Sequence, residues 1–184
     1  SDLVVQMHYT ATGKAVADRT RVGLIFNRKP PRERLTNVAP HNRAFEIPSG
    51  ASSYRVDSQV TLEAPATIMA MMPHMHFRGK SFEYRVVYPD GRAETLLRIP
   101  KYDFNWQLFY AFEKPLTLPA GARIECTAYF DNSANNKHNP DPKIAVRWGD
   151  QTWEEMMIGW LYVSMPAQGV PSSLVREKAA VPSS

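Results

Sequence analysis

The chain has 184 residues, 43% hydrophobic and 22% charged, a balance that supports a folded core and argues against wholesale disorder. Lys+Arg exceed Asp+Glu by 22 − 18 = 4; basic residues cluster early (Arg19, Arg21, Arg28, Lys29, Arg32, Arg34), but the segment Lys29-Pro-Pro-Arg-Glu-Arg34 reads as a solvated loop, so no nucleic-acid partner is expected. No stretch approaches the ~20 apolar residues of a membrane helix, so no membrane span is expected; no charged-then-apolar leader is read either, and Ser1 is expected to open a mature or excised piece.

No window carries a clean helical stripe, and alternating, β-branched and aromatic runs predict strands instead. In chain order these are Val4 to Tyr9, Arg21 to Phe26, Tyr54 to Leu62, Thr67 to His76, Phe82 to Tyr88, Ala93 to Ile99, Gln107 to Phe112, Arg123 to Phe130, Ile144 to Trp148 and Met156 to Val163. Pro89-Asp-Gly91 and Pro119-Ala-Gly121 supply hairpin turns, proline setting φ and glycine accepting a positive φ. The Asn-rich, Pro-bounded run from Asn132 to Pro142 predicts a long surface loop, and Asp150 to Glu155 a single helical turn. The expected fold is all-β, an antiparallel jelly-roll-like β-sandwich over residues 1–165, with 166–184 a loose tail. Cys126 is the only cysteine, which excludes an intrachain disulfide and a cysteine metal cluster; within a strand-like run it reads as a small buried apolar residue.

The sharpest local feature is the segment Met69 to Lys80, which holds four of the eight methionines and two of the five histidines. On a strand, positions i and i+2 project to one face, so His74 and His76 can converge on one point, which is two-thirds of a metal site in a β protein. The same pair can equally sit solvated and idle. Met75 between them would point to the core. A third ligand would choose the metal: a carboxylate or another histidine favours zinc or non-haem iron, whereas a thioether from Met156 or Met157 favours Cu(I). Either methionine can also be read as a core residue filling a gap. His41 and His138 read as loop histidines, and Asp103, Trp106 and Gln107 as lining of a cleft or as packed aromatics beside a turn. No nucleophile elbow, phosphate loop or paired-carboxylate motif is present.

Three motifs in order, Val5-Gln-Met-His-Tyr9, His74-Met-His-Phe-Arg-Gly79 and Trp153-Glu-Glu-Met-Met157, resemble the carboxyl-terminal half of the copper type II, ascorbate-dependent monooxygenases, the family of peptidylglycine α-hydroxylating monooxygenase and dopamine β-monooxygenase. The resemblance spans roughly residues 3–165 and implies copper held by His74, His76 and Met156 as the oxygen-activating site. It makes His8 the counterpart of one ligand of a second, electron-transferring copper, whose other two histidines belong to an amino-terminal domain not contained in this chain. It also implies ascorbate or another reductant, a small-molecule or peptide substrate, and a secreted or periplasmic location. The sequence departs from the peptide-amidating members where they grip a substrate carboxylate: Met72 stands in place of an arginine, Ile158 in place of an asparagine and Trp160 in place of a tyrosine. The resemblance therefore implies a bacterial-type relative with a less polar substrate, its second electron coming from a partner redox domain. The alternatives are a copper-binding or interaction module without turnover of its own, and a metal-free jelly roll that binds carbohydrate or protein.

Overall fold

The computed structural model describes residues 2–9, 11–167 and 174–177. Residues Ser1–Pro30 and Pro31–Ser184 form two compact units. In the larger unit the strands are β1 (Glu33–Val38), β2 (Glu46–Ile47), β3 (Tyr54–Leu62), β4 (Ala66–His74), β5 (Gly79–Val87), β6 (Ala93–Ile99), β7 (Tyr110–Leu118), β8 (Arg123–Phe130), β9 (Val146–Arg147), β10 (Ile158–Pro166) and β11 (Val175–Glu177). A four-stranded sheet runs β1-β10-β4-β7 and a five-stranded sheet β11-β3-β8-β5-β6, with every ladder antiparallel; β2 and β9 pair separately. The chain changes sheet between β3 and β4, again between β4 and β5, and again around β7, so the architecture is an all-β sandwich as expected.

The core follows from strand alternation. In β8 every second residue is buried, namely Ile124, Cys126, Ala128 and Phe130, and in β3 Val56, Val60 and Leu62 oppose them from the same sheet. From the facing sheet come Ile68, Met71, Leu161 and Val163. Cys126 is fully buried and reduced, and burial pushes its thiol well above the usual range. The sheets approach closely at Gly159 of β10: a Cβ there would lie 2.6 Å from Cys126 Sγ and 2.9 Å from Tyr84 Cε1, closer than real Cβ contacts come, so only glycine fits without a shift of its neighbours.

One irregularity decides where β4 aims its side chains. Its register against both neighbours slips around Met69: on the β10 side Ile68 pairs with Val163 and Ala70 with Tyr162, leaving Met69 as the extra residue of a bulge, while on the β7 side Ile68 pairs with Leu116 and Ala70 with Ala111, so there the extra residues belong to β7. The even positions Ala66, Ile68 and Ala70 are buried, then Met71, Pro73 and Met75, so the buried parity changes between Ala70 and Met71, directly after the bulge. His74 therefore pairs with Ile158, and Met72 with Trp160, on the solvent side of the sheet.

Several expectations are revised. Val4 to Tyr9 and Arg21 to Phe26 carry strand patterns, but no described residue of 2–30 joins a ladder; Val4 is 88% exposed and Ile25 fully so, and an apolar strand without a pairing edge gains no backbone hydrogen bonds. Glu33–Val38, the end of the supposed basic loop, is instead an edge strand on β10. The stretch 150–155 forms a turn closed by Glu154 N–H to Gln151 O at 2.9 Å; no helix occurs among the described residues. Of the stretch expected to be a loose tail, Val175–Glu177 adds to β3 as a short edge strand, and 168–173 and 178–184 lie outside the described residues.

Candidate metal centre

β4 ends at His74 and the chain bends through residues 75–78 into β5. A bend at the end of a ladder strands backbone polar groups, which then need side-chain partners. Two side chains provide them. Tyr102 Oη accepts from Met75 N–H at 2.9 Å and donates to Met75 O at 2.8 Å. The Glu155 carboxylate accepts from His76 N–H at 2.8 Å and from Arg78 N–H at 2.6 Å. Gly79 follows where a Cβ would meet the Tyr102 ring at 2.7 Å, so the tyrosine lies flat against the bend.

Within this frame the His74 and His76 rings come together, with centroids 5.2 Å apart and planes at 87°. Imidazoles sharing one ion, each nitrogen at about 2 Å from it, have centroids on the order of 5 Å apart. The Gln107 amide is oriented by its N–H₂ donating to Phe104 O at 2.9 Å, which turns its carbonyl oxygen toward His74 Nδ1 at 2.6 Å. An acceptor there requires the Nδ1–H tautomer of His74, which places the ring's lone pair on Nε2. His76 Nδ1 lies 3.2 Å from Glu154 O, again an acceptor, with the same consequence. Burial, and secondarily the neighbouring His74, lowers the His76 pKa, so the neutral, metal-binding form of that ring is favoured. The Phe104 ring stands edge-on to His76 at 6.1 Å and to Phe77 at 4.8 Å.

The two methionines separate cleanly. Alternation of burial runs unbroken from Glu155 to Val163, with Met157 fully buried in the core and Met156 half-buried on the alternate face, the one Ile158 shares with its partner His74. Met75 is fully buried, as strand alternation from the histidines requires. His41 bridges Ile158 from the other side, so His41, Ile158 and His74 lie abreast on three neighbouring segments, His41 and His74 about two strand spacings apart, roughly 10 Å. Among the described residues no group of three His, Cys, Asp or Glu side chains converges, so any third donor to the histidine pair is of another kind. His8 is exposed in the unit Ser1–Pro30, and His138 is exposed in its loop.

Behind the bend is a buried polar layer that the sequence did not single out. Glu155 and Arg78 are both fully buried. Burial pushes the Glu155 carboxyl up to about 8, against the pull of the Arg78 and His76 N–H donors, which favour the ionised form. Arg78 donates through Nε to Asn132 Oδ1 at 2.7 Å and through Nη1 to Trp153 O at 2.8 Å. Asn132 in turn donates to Pro48 O and Ile144 O, so the start of the Asn-rich loop is structural rather than loose. The sequence signal for this layer was slight: an Arg two residues past the second histidine and an acidic pair before the methionines. Asp103, Trp106 and Gln107 line a cavity of about 210 Å³ together with Pro73 and Tyr102, and its wall at Gln107 is also the partner of His74.

No protein-family model matches the chain, and no curated protein matches it either. No described helix is long and apolar enough to cross a membrane.

Proposed function

We propose that this chain is the oxygen-activating domain of a copper-dependent monooxygenase of the type II, ascorbate-dependent kind, with His74, His76 and Met156 as the copper ligands. The reading is carried by one observation: two imidazoles 5.2 Å apart, each with Nδ1 turned to a fixed acceptor, on the sheet face that Met156 shares and Met157 does not. Two neutral nitrogens and a thioether suit Cu(I), and a site without a carboxylate or thiolate has no charge with which to retain Zn(II) or Fe(II) against it. Bound copper would supply one-electron chemistry with dioxygen, in the overall conversion R–H + O₂ + 2 e⁻ + 2 H⁺ → R–OH + H₂O.

The protein's part is positioning. Gln107 and the Glu154 carbonyl hold the rings in one tautomer, Tyr102 and Glu155 hold the bend, and desolvation keeps His76 unprotonated. Next to the centre, Met72, Ile158 and Trp160 give the sheet face no charge with which to grip a carboxylate, so the substrate is an uncharged, weakly polar molecule. One centre delivers one electron per oxidation-state change, so the second comes from a partner redox domain, with His8 contributing to its copper, or from ascorbate. The compartment is secreted or periplasmic.

The test is X-ray absorption on the protein loaded with copper and reduced by ascorbate. A sulfur scatterer that disappears in Met156→Ala and persists in Met157→Ala is expected. A spectrum with nitrogen ligands only, unchanged by Met156→Ala, refutes the ligand set. Ascorbate-driven oxygen consumption yielding hydroxylated product separates the monooxygenase from a copper-binding module without turnover, which would bind the ion and consume nothing.

A further inference from the structure

Glu155 has a role that ligand spacing does not suggest. Its side chain is fully buried, and its two oxygens reach residues 79 and 77 positions away in sequence, accepting from His76 N–H at 2.8 Å and Arg78 N–H at 2.6 Å. Its own backbone is anchored as well: Glu155 N–H donates to Arg147 O at 3.1 Å and Glu155 O accepts from Gly149 N–H at 3.1 Å. The carboxylate therefore projects from a fixed point, and the next residue in the chain is Met156. Both donors it captures lie in the bend after β4, where no ladder partner satisfies them.

We propose that Glu155 is a positioning residue of the candidate centre, tying the bend that carries His76 to the backbone position just before Met156, so that imidazoles and thioether are held in one arrangement before any ion arrives. The proposal rests on the copper reading given above. Its chemistry is specific to a two-oxygen acceptor of this length. Aspartate is one methylene too short to span both N–H groups. Glutamine keeps one acceptor and turns an N–H₂ toward the other backbone donor, leaving that donor buried and unpaired.

The experiment compares Cu(I) affinity and the copper absorption spectrum in wild type, Glu155→Gln and a control, Val60→Ala, which trims the core from β3 in the other sheet. Glu155→Gln is expected to melt cooperatively, to bind Cu(I) about 10- to 100-fold more weakly and to lose the sulfur scatterer. Val60→Ala is expected to lower the melting temperature with affinity and sulfur shell intact, which separates positioning from general loss of stability. Glu155→Gln with wild-type affinity and an intact sulfur shell overturns the proposal and leaves the copper reading standing. Wild type that binds Cu(I) without sulfur overturns the Met156 ligand assignment itself. Should Glu155→Gln fail to fold, hydrogen exchange in metal-free wild type decides: His76 and Arg78 amides protected like those of β4 support the clamp, and exchange at the rate of exposed loop amides overturns it.

Discussion

Two short histidine-bearing segments of this chain look alike on paper and differ in the molecule. Val5-Gln-Met-His-Tyr9 and Pro73-His-Met-His76 both alternate, and both include a methionine next to a histidine. In the first, the flanking apolar residues are exposed, and the side-chain bond described there is Tyr9 Oη to Asp18 at 2.9 Å. In the second, β4 lies between β10 and β7, Met75 is sealed in the core, and four separate groups (Gln107, Glu154 O, Tyr102, Glu155) fix ring or backbone. A strand pattern supplies the spacing of the histidines. A rigid platform needs neighbouring strands and buried acceptors, and those come from residues 27 to 79 positions away.

The largest effect that breaks this contrast is expected from deleting Met72, past the bulge. Removing one residue of the regular stretch Met71 to His74 shifts its alternation by one position, which drives His74 and His76 toward the core and Pro73 and Met75 toward solvent. Loss of a cooperative melt and of copper retention is expected; a deletion that melts like wild type and still binds Cu(I) would show that alternation past the bulge does not set the face. Next is Met157→Ala, which empties a fully buried site in the core cluster and should cost about 2–5 kcal/mol in denaturant unfolding. Gly159→Ala presses a methyl toward Cys126 and Tyr84 and should cost about 1–3 kcal/mol, relieved in part by Cys126→Ala, a double-mutant coupling readable in the same unfolding curves. Tyr102→Phe leaves the Met75 N–H and C=O without their partner and should cost about 1–3 kcal/mol, with increased exchange confined to the bend.

Much of the sandwich was legible. Tyr54–Leu62 and Arg123–Phe130 have the bounds their alternation predicts, because each lies half-buried with one face on the core; Ala93–Ile99 has its predicted bounds as well, though none of its residues is fully buried. Glu33–Val38 was hidden because an edge strand exposes both faces of most residues and so keeps charges and no clean alternation. The converse error, strands assigned to 4–9 and 21–26, arises because periodicity reports what a segment could bury and is silent on whether an edge is there to pair with. At the candidate centre, the convergence of His74 and His76 was readable since a spacing of two residues does not cross the bulge. Their face was readable too, since Met75 between them was expected to point to the core and is fully buried; the bulge at Met69 was not, because a bulge leaves no mark in residue type. The choice between Met156 and Met157 came only from a resemblance, and burial now separates them on physical grounds: one is a core residue and the other is not. Gln107 was visible only as a cleft candidate, and Glu155 not at all, since a carboxylate's partners across the sheet are set by register rather than by neighbours in sequence.

The smallest expected effect sharpens the other side of the comparison. Asp18 accepts from Thr20 Oγ1 at 2.6 Å and from Tyr9 Oη at 2.9 Å, and these bonds hold its carboxyl below the usual range. The carboxylate and its partners are nevertheless exposed, so water replaces any hydrogen bond that is removed, and the Coulombic gain is screened. Asp18→Asn should therefore leave the melting temperature and the Cu(I) affinity of the His74–His76 centre unchanged within error, while Tyr102→Phe, which removes a single buried hydroxyl, moves the melt by several degrees. Equal responses to the two substitutions would mean that burial of the acceptor is not what distinguishes the two histidine segments, and that the rigidity assigned to the bend comes from the β4 ladder alone.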